Sequence, residues 1–69
     1  MKVKINGDVQ EIPDGLTVST LLEHLGMPAG RVAVERNLVI SLRSEWATTA
    51  VAPNDSFEIV HVVGGGVTL

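Results

Sequence analysis

The chain has no cysteine. That excludes disulfide staples, thiolate metal ligands and a side-chain thiol nucleophile, and it fits a reducing, cytoplasmic setting. Histidine is scarce: His24 and His61 alone are too few for a metal cluster. Positive charge is thin, with five Lys and Arg against eight Asp and Glu and a net charge of −3. These cations are scattered, whereas nucleic-acid binding relies on clustered ones. A weakly acidic surface suits a basic protein partner instead. No apolar run approaches the roughly 18 residues that span a bilayer, and the alternating start "MKVKIN" does not read as a signal peptide. The expectation is a free monomer with neither a membrane nor a nucleic-acid partner. Its 69 residues make one domain, which buries only about 60% of its unfolded surface and has modest stability.

What is present reads as alternating strands around one helix. "MKVKI" alternates lysine and hydrophobe, the pattern of a half-buried strand. "NGD" at Asn6–Asp8 is a hairpin signal, because both central positions of a type I′ turn want positive φ. Val9–Ile12 is the returning strand, ended by Pro13. Val18, Leu21, Leu22 and Leu25 then recur at helical spacing. Thr17 suits the N-cap, Gly26 the left-handed position after the helix, and Pro28 blocks continuation. A helix over Val18–Leu25 is too short to stand alone and must dock on a sheet. Arg31–Asn37 is a third strand. Leu38–Ile40 is a short fourth strand or a continuation of the third. One helical turn near Ser44–Ala47 is anchored by Trp46. "PNDS", Pro53–Ser56, is a tight turn, and Phe57–Val63 is the last strand. The order ββαβ(β)β predicts an α+β roll, a mixed sheet of four to five strands curled over one main helix. That is the β-grasp, or ubiquitin-like, arrangement. It spans residues 1–63, and residues 64–69 form a flexible glycine tail with a three-residue extension.

The expected core is Val3, Ile5, Ile12, Val18, Leu21, Leu22, Leu25, Val32, Val34, Phe57 and Ile59, with Trp46 covering one end. Alternation along the last strand puts Phe57, Ile59, His61 and Val63 on one face and Glu58, Val60 and Val62 on the other. A one-sided sheet would place polar residues opposite the core, and Val60 and Val62 break that pattern. Two readings stand: ordinary exposed apolar surface, or a docking patch beside the tail. His61 and His24 have no catalytic partner nearby in the pattern, and Glu23, Glu35, Glu45 and Asp55 are not paired by spacing. Trp46 reads as packing, since no basic residues flank it as they would a stacking platform.

The last stretch, "VVGGGVTL", holds three consecutive glycines. A phosphate loop would need a helix after the glycines and a lysine; neither follows. A frayed end is one remaining reading. The other makes the tail the working part. Glycine lacks a Cβ, so its backbone can thread a narrow channel, and six extended residues reach roughly 20 Å. A terminal carboxylate is then the only reactive group required.

"MKVKINGD", "GLTVSTLLEHLGM", "VAVERNLVI", "RSEW" and "FEIVHVVGGG", in this order and spacing, resemble the ThiS/MoaD family of ubiquitin-like sulfur carrier proteins, and within it the carriers of thiamine biosynthesis. The resemblance implies that the chain is no enzyme and binds no cofactor. An ATP-dependent, E1-like activating enzyme would adenylate a terminal glycine carboxylate, and sulfur would replace the adenylate to leave a thiocarboxylate. Thiazole synthase would accept that sulfur. Gly65 and Gly66 correspond to the terminal diglycine, with Gly66 bearing the sulfur and Gly64 threading the channel. Glu58, Val60 and Val62 fall in the docking surface. Two departures stand out. The turn before the last strand, commonly Gly-Asp in the family, is Asn54–Asp55, a mild change because Asn tolerates left-handed dihedrals. More important, Gly66 is followed by Val67, Thr68 and Leu69, so its carboxylate is held in a peptide bond. A peptidase removing Val67–Leu69 would free it. Alternatives are a sulfur carrier for another pathway, such as molybdopterin, and a β-grasp interaction module that never loads sulfur.

Overall fold

The lysine–hydrophobe alternation becomes β1 (Lys2–Ile5), with Val3 and Ile5 buried and both lysines exposed. The computed structural model describes residues 1–62; the sequence-based assignments on Val63 and on the tail from Gly64 to Leu69 lie outside them. β2 (Asp8–Glu11) returns antiparallel. Asn6 and Gly7 between them have φ of 50° and 89°, the left-handed pair that the Asn-Gly dipeptide predicts.

α1 (Val18–His24) buries Val18, Leu21 and Leu22 on its apolar stripe. Thr17 caps it reciprocally: its hydroxyl accepts from the Thr20 amide at 3.2 Å, and the Thr17 amide donates to the Thr20 hydroxyl at 2.8 Å. At the other end Gly26, φ 70°, donates to the Glu23 carbonyl, and Met27 donates to the Leu22 carbonyl. These two bonds satisfy carbonyls the helix leaves open. The first helical amides are served from outside, since Val18 donates to the Thr49 carbonyl and Ser19 to the Trp46 carbonyl.

β3 (Val32–Arg36), β4 (Val39–Ser41) and β5 (Ser56–His61) complete a five-stranded sheet of order β2-β1-β5-β3-β4. β1 and β5 are parallel, and the other neighbours are antiparallel. One helix packed on a mixed five-stranded sheet is the β-grasp roll expected from the sequence. Core residues come from β1, β3, β5 and α1, with Ile12, Trp46 and Val51 added from the connections.

Four details differ from the sequence-based expectations. Leu25 is half-buried at the rim rather than in the core, because it caps α1 where the chain turns away at Gly26. β5 ends at His61, so Val62 lies just beyond the strand. A 3-10 turn at Ala29–Arg31 precedes β3. Val51 is buried without any periodic signal, held by its amide bond to the Leu16 carbonyl. Among the described residues no helix is long and apolar enough to cross a membrane.

Candidate functional site

The root of the glycine tail is built before the tail begins. Val62 leaves β5 but is held by its amide, which donates to the Arg31 carbonyl at 2.7 Å. Arg43, on a 3-10 turn (Arg43–Glu45), closes this corner. Its guanidinium donates to the Ala29 carbonyl and, at 3.1 Å, to the Val32 carbonyl. It also lies 4.7 Å from the Trp46 ring centroid, a cation over an aromatic face. Trp46 is buried and donates its indole N–H to the Ser41 carbonyl at 2.9 Å. Arg43 was missed by sequence reasoning, although Arg-Ser-Glu-Trp on one turn puts cation and ring three residues apart, the spacing at which side chains meet.

A groove of about 230 Å³ opens at this corner, lined by Val32, Ala33, Ile40, Leu42, Trp46 and Val62 among others. It adjoins the sheet face that points away from α1. Register places Ala33 opposite Val60 and Glu35 opposite Glu58, with Ile40 opposite Glu35. Val60 is 57% exposed and Ile40 65% exposed. Three apolar side chains therefore sit together on the far face, next to two carboxylates and beside the tail root. Of the proposed docking residues, Val60 and Glu58 lie on this face. Val62, half-buried, follows the end of β5 and lines the groove beside it.

A second hollow of about 320 Å³, lined by Lys2, Lys4, Val9, Asn54 and Ser56 among others, lies by the opposite end of β5. No nucleophile with a base partner lines it. His61 follows Val60 in β5 and is exposed although the alternation places it on the inward side; His24 is exposed on α1. Glu23, Glu35, Glu45 and Asp55 are not gathered into one cluster, and Asp55 serves a structural bond network. Gly64, Gly65 and Gly66 lie outside the described residues, so the site is defined from its root and the exposed sheet face.

Comparison with known proteins agrees with this fold. The profile of the ThiS family matches residues 3–66. A protein named thiazole synthase from Paramagnetospirillum magneticum is 46% identical over 66 residues, which cover 96% of this chain and 20% of that protein. A thiazole synthase from Magnetococcus marinus is 36% identical over the same coverage. The chain thus spans about a fifth of the length of these curated relatives. The crystal structure of thiamine biosynthesis protein ThiS from Geobacter metallireducens superposes with a TM-score of 0.83 at 30% identity, covering 96% of this chain and 100% of that one.

Proposed function

The chain belongs to the ThiS family, and on that premise we propose that it carries sulfur on the carboxylate of Gly66 for thiazole formation in thiamine biosynthesis. The observation that carries this reading is the family match, which runs through the fold and ends at Gly66, the last of the three glycines. A carboxylate is a poor electrophile. Attack of its oxygen on the α-phosphorus of ATP, with loss of pyrophosphate, makes an acyl adenylate. A sulfide equivalent then adds to the acyl carbon and AMP leaves, giving a thiocarboxylate. An activating enzyme supplies the adenylation chemistry; this chain supplies a threadable backbone and a rigid root at Val62. Thiazole synthase takes the sulfur. That two relatives carry the matching segment inside a longer polypeptide named thiazole synthase supports this partner. The far sheet face, with Val60 and Glu58, is the docking surface, and Val62 steers the tail from its edge. The β-grasp domain, residues 1–63, carries the tail, residues 64–69, whose working end is at 64–66.

Gly66 is followed by Val67, so loading requires cleavage of the Gly66–Val67 bond. Intact mass of the protein recovered from thiamine-starved cells, and after incubation with ATP, an activating enzyme and a sulfur source, tests the reading. The expected species ends at Gly66 with one oxygen replaced by sulfur. If every recovered chain keeps Val67 and none gains sulfur, the carrier reading fails. The β-grasp interaction module, which the peptide bond to Val67 favours, then takes its place.

A further inference from the structure

Glu35 and Glu58 stand directly opposite each other on β3 and β5, both exposed. Directly opposed side chains have Cβ atoms about 5 Å apart, and like charges there are destabilising. Among the described residues neither is joined in an ion pair. Among the described residues the ion pairs join the Met1 ammonium to Glu11 and Asp14, and Arg36 to Asp55. The nearest lysine on this face, Lys4, stands opposite Ser56, two residues before Glu58. The pair is instead bordered by apolar neighbours: Ala33 and Val60 on one side, and Ile40 opposite Glu35. The face therefore joins an apolar patch, which gives contact area, to an unneutralised double negative charge, which selects the sign of what lands on it. A guanidinium is the best match, because its planar fork can donate to two carboxylates at once.

We propose that this face docks an apolar protein surface presenting an arginine between Glu35 and Glu58, and that the surface belongs to thiazole synthase; this rests on the carrier reading above. Docking relieves the repulsion between the two carboxylates, so the pair costs the free chain stability and returns it as affinity.

The test compares the full chain with its Glu35→Gln/Glu58→Gln double variant. Urea midpoints are measured for each, together with affinity for the thiazole synthase of the source organism across a salt series. The double variant should be at least as stable as the parent. Its affinity should fall roughly tenfold or more at low salt, and most of the salt dependence should vanish. Adding Ile40→Ala to the parent should weaken binding without changing the salt slope. If the double variant binds as the parent does, this inference is overturned while the carrier reading stands. If the parent accepts sulfur yet has no affinity for the synthase, the thiazole reading is overturned and this inference with it.

Discussion

Asp55 is the buried charged side chain of the described residues, 6% exposed. Its carboxylate accepts from the Ala52 amide at 2.8 Å, from Arg36 Nε at 2.9 Å and from Asn37 Nδ2 at 3.0 Å. Asn37 in turn accepts from the Ser56 amide at 2.9 Å. Burial pushes the carboxyl pKa up, but the bonds from Ala52, Asn37 and Arg36 together outweigh it and hold the pKa below the ordinary value of 3.8. A depressed folded pKa stabilises the fold above the unfolded value, and that stabilisation is lost as pH falls through the folded one. The protein should therefore lose part of its stability below about pH 4. Asp55→Asn replaces one carboxylate oxygen with an NH2 group, which cannot accept and faces a donor, and should cost about 2 kcal/mol at neutral pH, read by urea denaturation. The variant should also lack the parent's loss in that acid window. The network holds a strained neighbour: Leu38, at the β3–β4 tip, has φ 69° and is 89% exposed, a backbone that costs a leucine about 1–2 kcal/mol.

Elements are joined here by residues chosen for two tasks. Asn6 turns the β1–β2 hairpin with positive φ, and its side chain also pairs with β5. Its Oδ1 accepts from the Ile59 amide at 2.7 Å, and its Nδ2 donates to the Ile59 carbonyl at 3.1 Å. The side chain thus extends the parallel β1–β5 ladder beyond the end of β1. For the turn alone, glycine is as good as asparagine. For the ladder it leaves two partly buried backbone groups unpaired. Asn6→Gly should therefore destabilise the protein by roughly 1–3 kcal/mol, measured as a lower urea midpoint. An unchanged midpoint would mean that the turn, not the ladder, is what Asn6 provides. The same doubling appears at Trp46, which fills the core, donates to Ser41 and offers its carbonyl to α1.

At the scale of the whole molecule, the carrier reading predicts that stability and function occupy different residues. Among the described residues the core runs from Val3 through Ile59, and a chain ending at Val63 should unfold within about 0.5 kcal/mol of the full chain while losing sulfur acceptance entirely. A much larger loss of stability would show that the tail packs on the domain. A fold this small buries a limited core. The β1–β5 pairing, joining its first and last strands, closes that core.

Much of this was legible beforehand, because it rests on local rules. Alternation in "MKVKI", the Asn-Gly turn, the i, i+3, i+4, i+7 spacing of α1 and its Thr17 and Gly26 ends each need only a few neighbouring residues to specify a backbone. The run of glycines pointed to the tail in the same way, since the lack of a Cβ is a property of the residue itself. What chain order left open were contacts between residues far apart in it. Arg36 and Asn37 meet Asp55 because β3 lies beside β5, and Arg43 reaches Ala29 and Val32 because the 3-10 turn folds back over the start of β3. Glu35 meets Glu58 only through the β3–β5 register, and Val62 is held to Arg31 where β5 ends. These are decided by strand order and register, which the burial of one sheet face selects for the chain as a whole; no short stretch of it encodes them.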